Sequence, residues 1–247
     1  ETFRTKKFAE YKIQRPPMPD GLSSQIPIIK KVVAAYGIPI FEKEGFEADD
    51  IIATLNYKAK SEGLAFIIIS SDKDILQLVD NDTVVFSPYK DEGVTYTSKE
   101  VLERYGVGPE GVSDIIALMG DHADNIPGIP GIGEKTAAGL VKSFGTLDRL
   151  FASIDKIKQE KIRNAIKDNI EMLKLNKELV LLDNNVDIDF SLEKVKIGKP
   201  DFKELYEEYY YESSFLDFNY HKNKILGPIS APVPVPARAP ISDIKLS

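Results

Sequence analysis

Residues 120–137 read GDHADNIPGIPGIGEKTA, and the rest of the sequence can be organised around them. Two aspartates, two Pro-Gly steps and a Gly-Ile-Gly turn precede a segment of helical character. Glycine lets a backbone approach a phosphate closely, and the free N–H groups at the start of a helix complete such a site. The stretch predicts a helix-hairpin-helix turn in which Gly131 and Gly133 bind a phosphate backbone without reading bases. A plain turn between two helices is the alternative.

The helix that follows this turn carries further candidate DNA contacts. Lys135 and Thr136 lie in its first turn. A lysine on a helix usually belongs to a solvated face, so the turn and not the lysine carries this prediction.

Acidic residues form three clusters at the ends of predicted strands and helices. They are Glu47, Asp49 and Asp50; Asp72 and Asp74; and Asp121 and Asp124. Ligand sites of open α/β sheets lie beyond the carboxyl ends of the strands, so the first two clusters can converge there. Grouped carboxylates repel one another unless cations neutralise them. Oxygen ligands without His or Cys favour Mg²⁺ or Mn²⁺, and two such ions suit in-line hydrolysis of a phosphodiester.

Each acidic cluster also has a purely structural interpretation. Acids at residues 47–50 are typical of a helix start, where they cap N–H groups and complement the helix dipole. Acids at 72–74 and 121–124 are typical of solvated or capping turns. The coincidence of all three clusters favours a shared site.

The predicted elements change character along the chain. Helices are predicted over 23–37 and 47–63, and strands over 38–43, 64–70, 83–89 and 94–97. Alternation of strand and helix predicts an α/β fold with a parallel sheet. Helices are predicted over 98–106, 109–120, 134–145, 146–157, 159–182 and a Tyr-rich stretch at 201–218. The Pro-rich end of the chain is typical of an extended linker.

Basic and aromatic residues alternate over residues 1–15. Arg4, Lys6, Lys7, Lys12 and Arg15 stand among Phe3, Phe8 and Tyr11. Rings stack on unpaired bases and cations neutralise phosphates, so this pattern is typical of a grip on single-stranded nucleic acid. An amphipathic surface helix explains the same pattern and is the stronger interpretation of this stretch alone.

Composition excludes several classes of site. The chain has 247 residues, no Cys and 2 His, which excludes disulfides, zinc-thiolate sites and cysteine nucleophiles and fits a reducing cytosol. No apolar run approaches the length of a membrane span, so we expect no membrane association. The net charge of −7 argues against general attraction to nucleic acid and leaves binding to local basic patches.

Taken together, these motifs resemble those of the 5′ nuclease family, which includes the 5′→3′ exonuclease domain of bacterial DNA polymerase I and the flap endonucleases. FEADD at 46–50, SSDKD at 70–74 and the stretch 120–137 are similar to the family's acidic motifs and helix-hairpin-helix, in the same order. The opening FR…YK…R is similar to its helical arch. The resemblance covers about residues 1–220.

The resemblance implies a fold and a domain organisation. It implies a PIN-like, parallel-sheet nuclease core that contains the arch segment over 1–97 and is incomplete at its N-terminus. An all-helical helix-hairpin-helix domain that binds DNA follows over 98–222. Residues 223–247 then form a linker to a tethered polymerase domain.

The resemblance also implies roles for the candidate residues. Two divalent ions are held by Glu47, Asp49, Asp50, Asp72, Asp74, Asp121 and Asp124. The 5′ single strand and the scissile phosphate are steered by Arg4, Lys12 and Arg15, with Tyr11 as a further DNA contact. Gly131 and Gly133 hold the downstream duplex, with a K⁺ ion at the turn. A water activated by the metal attacks in line.

Substrates, partners and location follow from the same resemblance. The expected substrates are 5′-flap, nicked or gapped DNA in replication and repair. We expect a monomer with a tethered polymerase domain. Its expected location is the bacterial cytoplasm, at the nucleoid.

One departure from the family pattern affects these expectations. The family begins with a strand ending in a metal-binding Asp and has another such strand before the arch, and neither is found here. We therefore expect an N-terminally truncated chain with an incomplete sheet and incomplete metal ligation. The alternatives are a non-catalytic DNA-binding module and an RNA-degrading nuclease with a related acidic site.

Overall fold

Residues 1–88 and 93–205 are described in the computed structural model of this chain. Contacts within this part of the chain divide it into two units. The first unit includes Glu1–Pro16 and Glu42–Ile188, and the second includes Pro17–Phe41 and residues 189–205. Residues 206–218 of the predicted Tyr-rich stretch and the predicted linker lie outside the described residues.

Helices account for most of the regular structure. The α-helices are α1 (Phe3–Lys7), α2 (Asp20–Ser23), α3 (Ile26–Ala35), α4 (Ala48–Ser61), α5 (Ser98–Tyr105), α6 (Val112–Met119), α7 (Glu134–Phe144), α8 (Leu147–Ala152), α9 (Glu160–Lys167) and α10 (Ile170–Val180). Short 3-10 helices cover Asp74–Leu78, Pro109–Gly111 and Ile154–Lys156. Within the described ranges, no helix combines the length and apolar character that crossing a bilayer requires.

A three-stranded sheet lies in the first unit. Its strands, in spatial order, are β1 (Phe66–Ile69), β2 (Thr83–Ser87) and β3 (Val94–Tyr96). β1 and β2 are parallel, with Ile68 opposite Val85, whereas β3 is antiparallel to β2. The predicted parallel pairing is confirmed for β1 and β2 and is wrong for β3. Residues 88–93 are too few for the crossover of a dozen or more residues that a parallel return requires.

The strand predicted over residues 38–43 does not form. Ile38 and Ile40, which that strand would bury against a sheet, are 44% and 41% exposed. A strand is stabilised by a neighbour that pairs with its backbone, and apolar composition alone does not provide one. The helix predicted before this segment does form as α3, and it ends close to Gly37, whose φ is +71°.

The first acidic cluster starts α4. Glu47 and Asp50 form a reciprocal capping box, in which each side chain accepts a hydrogen bond from the backbone N–H of the other residue. The helix then runs to Ser61 and buries Ile51 and Ala53. The structural interpretation of this cluster as a helix cap is thus confirmed for Glu47 and Asp50.

The second half of the described chain is helical, as predicted. The stretch predicted as one helix over 159–182 is two helices, α9 and α10, with Asp168 and Asn169 between them. Asp and Asn favour helix ends because their side chains compete for nearby backbone groups. Sheet residues such as Ile68 and helix residues such as Leu118 and Leu173 belong to one hydrophobic core. The domain boundary at residue 97 stays a prediction.

The loop between α6 and α7 is held by backbone contacts. Asp121 and Ile126 exchange backbone hydrogen bonds of 2.9 and 2.8 Å. Gly120, with φ +76°, lies directly against Gly128, and a Cβ on either residue would collide with backbone atoms. Asn176 of α10 donates from Nδ2 to the carbonyls of Ala117 and Pro127 at 3.0 and 2.6 Å. The loop that carries the third acidic cluster is therefore rigidly closed.

We expect Gly128→Ala to destabilise the protein. The added methyl group would overlap the carbonyl of Met119, and relief of such overlap costs about 1–3 kcal/mol. The matched control is Gly139→Ala in α7, where nothing lies within 4 Å of the added Cβ. That change should stabilise the helix by about 0.5–1 kcal/mol. Urea unfolding of both variants checks this, and equal unfolding free energies would contradict it.

Candidate metal centre

Three aspartates from two separate stretches meet in the first unit. Carboxylate oxygens of Asp74, Asp121 and Asp124 all lie within 4.8 Å of one another, and all three residues are buried. Asp74 begins the 3-10 helix that follows β1, and the other two lie in the closed loop after α6. Asp74 of the second predicted acidic cluster is therefore brought together with both acids of the third.

Asp74 has an unused ligand atom. Its Oδ1 is buried and has no hydrogen-bond partner among the described residues. Burial, followed by the charges of Asp72 and Asp121, raises the pKa of Asp74 to about 7. A buried carboxylate oxygen beside two further carboxylates fits a hard divalent cation, which would remove both the repulsion and the desolvation cost.

Asp49 and Asp72 lie near this cluster but outside the group of three. Asp49 is half-buried, and burial followed by the charge of Asp72 raises its pKa to about 6. Asp72 is exposed, and its Oδ1 accepts the backbone N–H of Asp74 at 3.0 Å. The two carboxylates influence each other electrostatically and extend the negative region toward solvent.

Tyr11 joins the first acidic cluster to the third. Its hydroxyl lies 3.2 Å from Oε2 of Glu47 and 3.1 Å from Oδ2 of Asp124. Burial, and then the two carboxylates, raise the pKa of Tyr11. Tyr11 is predicted to contact DNA, but it is only 4% exposed, so its ring is not available to stack on a base. Its hydroxyl instead lies between two acids of the site and donates its single proton to one of them at a time.

Lys12 and Arg15 face the acids directly. Lys12 Nζ lies 2.7 Å from Oε2 of Glu47 and 3.6 Å from Oδ2 of Asp124. The Lys12 backbone, at φ 57°, donates its N–H to the carbonyl of Asp124 at 3.0 Å. Arg15 pairs with the other oxygen of Asp124. Both predicted phosphate-steering cations therefore lie at the acidic cluster.

Arg4 and Asp50 form a buried, bidentate ion pair. Arg4 donates to the two oxygens of Asp50 at 2.6 and 2.8 Å, and both side chains are almost fully buried. Asp50 also accepts the backbone N–H groups of Asp183 and Glu47, at 2.9 and 3.1 Å. These bonds, against the cost of burial, hold the pKa of Asp50 below its usual value.

This pairing places both residues differently from the prediction. Asp50 is predicted to bind metal, yet each of its oxygens already accepts a hydrogen bond from Arg4. Arg4 is predicted to steer the substrate strand, yet it is 1% exposed. In this structure the pair acts as an internal support for Glu47 and the start of α4.

The predicted helix-hairpin-helix turn lies between α6 and α7. Gly131 has φ +84°, and no atom lies within 4 Å of a Cβ placed on Gly131 or Gly133. Buried Ile132 anchors the turn, and α7 begins after Gly133 with no side-chain capping bond. Lys135 is exposed and Thr136 half-buried. The turn therefore presents open backbone and the free N–H groups of a helix start.

The sequence interpretation missed Lys73. Its Nζ lies 3.1 Å from Oδ2 of Asp121. The signal was present, because Lys73 stands between Asp72 and Asp74, but a lysine in a charged turn is normally solvated.

Two family models match adjacent parts of the chain. Residues 1–106 match the 5'-3' exonuclease N-terminal, resolvase-like domain. Residues 107–203 match the 5'-3' exonuclease C-terminal SAM fold. This chain belongs to the 5'-3' exonuclease family. The resemblance and the fold class expected from the sequence are thereby confirmed, with a mixed sheet in place of a parallel one.

The region that matches this chain makes up a different share of each relative. The 5'-3' exonuclease of Aquifex aeolicus is 42% identical over 205 residues, which are 83% of this chain and 69% of that protein. DNA polymerase I of Bacillus caldotenax is 43% identical over 198 residues, which are 78% of this chain. The match spans only 22% of the length of that polymerase.

The fold of this chain is also similar to that of a solved structure. A complex of the bacteriophage T5 D15 flap endonuclease with DNA and metal ions has a TM-score of 0.60 and 26% identity, over 74% of this chain and 70% of that one. The acidic cluster therefore lies in a chain whose structural relative has been crystallised with metal ions.

We expect stability without divalent cations to fall as the pH rises. The raised pKa of Asp74 means that the fold binds its proton more tightly than the unfolded chain does, so this stabilisation is present at low pH and lost toward about pH 7. The lowered pKa of Asp50 also contributes to stability, but this contribution changes only at lower pH, where it is lost as the carboxylate is protonated. Between about pH 5 and about pH 7.5 the unfolding free energy in EDTA should fall by about 2 kcal/mol more in the wild type than in Asp74→Asn. Parallel pH profiles would contradict this.

We also expect Arg4→Gln to be strongly destabilising, by about 3–5 kcal/mol, because it leaves the Asp50 carboxylate buried without a counter-charge. Lys7→Gln is the matched control on α1, since the Lys7–Glu178 pair has side chains that are 47% and 56% exposed. That change should cost less than about 1 kcal/mol. Thermal or urea unfolding distinguishes the two, and a similar small cost for both would show that the Arg4–Asp50 pair is dispensable.

Proposed function

We propose that this chain is the nuclease part of a structure-selective 5′→3′ exonuclease and 5′-flap endonuclease, which hydrolyses DNA phosphodiesters with divalent cations in replication and repair. The observation that carries the proposal is the group Asp74, Asp121 and Asp124, with one buried oxygen unpartnered, in a member of the 5'-3' exonuclease family. A buried cluster of this kind is costly unless a cation neutralises it.

The proposed cofactor is a pair of Mg²⁺ or Mn²⁺ ions. Asp74, Asp121 and Asp124 would provide ligands. Asp49 is close enough to Asp72 and Glu47 to feel their charges, and Glu47 also contacts the Tyr11 hydroxyl. These three further acids are therefore near enough to contribute. When bound, divalent cations supply positive charge that lowers the pKa of a water nucleophile and stabilises charge on the phosphoryl oxygens. The carboxylates fix where that charge lies.

Lys12 and Arg15 are proposed to contact the scissile phosphate. Each pairs with an acid of the centre and keeps some exposure, with side chains 22% and 52% exposed. Once cations neutralise the acids, these side chains are free to exchange a carboxylate for a substrate phosphate. Arg4 and Asp50 are proposed as positioning residues, because their buried pair holds the start of α4 and with it Glu47 and Asp49.

The helix-hairpin-helix turn is proposed to hold the downstream duplex. Open backbone at Gly131 and Gly133 and the uncapped start of α7 suit a phosphate, with Lys135 and Thr136 alongside. A K⁺ ion held at Gly131 and Gly133 would supply positive charge for a substrate phosphate.

The surroundings of the chain are proposed from its relatives. Because relatives include DNA polymerase I, we propose a tethered C-terminal polymerase domain, 5′-flap, nicked or gapped DNA as substrate, and action as a monomer at the bacterial nucleoid. This part of the proposal concerns the whole protein.

The test is cleavage of a labelled 5′-flap DNA by the full-length protein with Mg²⁺ or with EDTA. We expect cleavage only with Mg²⁺, and a loss well beyond about 100-fold in Asp121→Asn with Asp124→Asn, because removing ligands costs more than removing their outer partners. Asp168→Asn, an exposed acid at the end of α9, is the matched control and should cleave normally.

Each outcome of this test discriminates. Equal cleavage in Mg²⁺ and EDTA would exclude metal-dependent hydrolysis. Flap binding without cleavage in any metal would favour the non-catalytic DNA-binding module. Preference for an RNA flap of the same sequence would favour an RNA-degrading nuclease.

A further inference from the structure

Lys73 forms an ion pair with Asp121, one of the three clustered aspartates of the proposed metal centre. It precedes the 3-10 helix Asp74–Leu78, and its Nζ lies 3.1 Å from Oδ2 of Asp121. The Lys73 side chain is 31% exposed, whereas that of Asp121 is 8% exposed. The ammonium group therefore reaches the cluster from the solvent side while the acid stays inside.

With this ion pair, each carboxylate oxygen of Asp121 has a partner. Its Oδ1 accepts the backbone N–H of Ala123 at 2.9 Å, and Lys73 takes Oδ2. Asp74 is different, because its Oδ1 has no partner within the described part of the chain. The cluster thus contains one carboxylate with an open oxygen and another whose outer oxygen is covered by a cation.

A lysine ammonium and a divalent cation compete for the same oxygen. The ammonium donates protons and cannot ligate a metal, and two positive groups on one carboxylate repel each other. Repulsion between the two cations therefore favours movement of Lys73 away from a divalent ion bound at Oδ2 of Asp121, and the free energy of the ion pair is lost when Lys73 moves.

The other cations near the centre differ from Lys73. Lys12 and Arg15 pair with Glu47 and Asp124 and have a proposed role at the substrate phosphate. Lys73 pairs with Asp121 and has no part in that mechanism.

We propose that Lys73 is a built-in counter-ion of Asp121, which a divalent cation must displace, so that Lys73 sets the cation concentration at which the centre fills. This inference rests on the proposed metal function of the cluster. Without divalent cations, Lys73 lowers the repulsion among the acids and stabilises the fold. With them, it raises the concentration required.

The test is Mn²⁺ binding to the full-length protein, followed by calorimetry or by the paramagnetic signal of free Mn²⁺. Lys73→Gln should bind Mn²⁺ about two- to fivefold more tightly than the wild type, because a partly exposed ion pair no longer has to be broken. Lys73→Arg keeps the charge and should bind as weakly as the wild type or more weakly. A purely structural role for Lys73 predicts the opposite sign, since a disturbed site binds less metal.

Lys60→Gln is the matched control. Lys60 forms an ion pair with Asp80, and its side chain is 31% exposed, like that of Lys73, but Asp80 is not one of the clustered acids. Its Mn²⁺ affinity should equal that of the wild type. The same variants measured by thermal unfolding should show that Mn²⁺ raises the Tm of Lys73→Gln more than that of the wild type.

The outcomes separate this inference from the proposed function. If Asp74→Asn binds Mn²⁺ as the wild type does, the cluster is not the metal site and both proposals fail. If Asp74→Asn loses Mn²⁺ while Lys73→Gln binds with unchanged or lower affinity, only the role of Lys73 is refuted. Tighter binding by Lys73→Arg would also refute it, and this variant keeps the test decisive should Lys73→Gln not fold.

Discussion

Repulsion among carboxylates that share a small buried space is the constraint on which this structure depends. Three aspartate oxygens lie within 4.8 Å of one another, and further acids surround them. The cations that offset this charge come from the first residues of the chain and from the turn after β1. They are Arg4 on Asp50, Lys12 on Glu47, Arg15 on Asp124 and Lys73 on Asp121. Residues 1–16 are therefore part of the architecture of the acidic centre.

Arg4 extends this dependence to the helical half of the chain. Besides Asp50, it donates to the carbonyls of Leu179 and Leu181 at 2.7 and 3.2 Å, where α10 ends and its last carbonyls lack helical partners. A cation at a helix C-terminus also complements the helix dipole. One side chain thus joins the opening of the chain, the start of α4 and the end of α10. Helix α10 therefore helps to position the acids, although none of the clustered acids lies on it.

The sequence was informative where local chemistry sets the outcome. The capping acids of α4 and the glycine stop after α3 follow from residues that are near one another in the sequence. The meeting of Asp74 with Asp121 and Asp124 was indicated only by the coincidence of acidic clusters at the ends of apolar elements. The partner of Asp50 was not predictable, because Arg4 lies 46 positions away and many basic residues compete for that role. The burial of Tyr11 was missed for a related reason, since an alternation of rings and charges does not say which ring faces the core.

Two errors in the sheet have other physical causes. The antiparallel direction of β3 could have been predicted from the short connection after β2. Residues 38–43 have the composition of a strand, but within the described residues no strand pairs with them. Whether an apolar segment pairs depends on its surroundings and not on its own residues.

The close approach of the Gly120 and Gly128 backbones has a consequence for how this loop can vary. The two glycines close residues 121–127 into a ring that is pinned from outside by Asn176. Single side chains in a closed loop of this kind can be replaced, but residues cannot be inserted or deleted without breaking the contact between Gly120 and Gly128. Natural or engineered diversity at this point should therefore consist of replacements, with insertions and deletions confined to other loops.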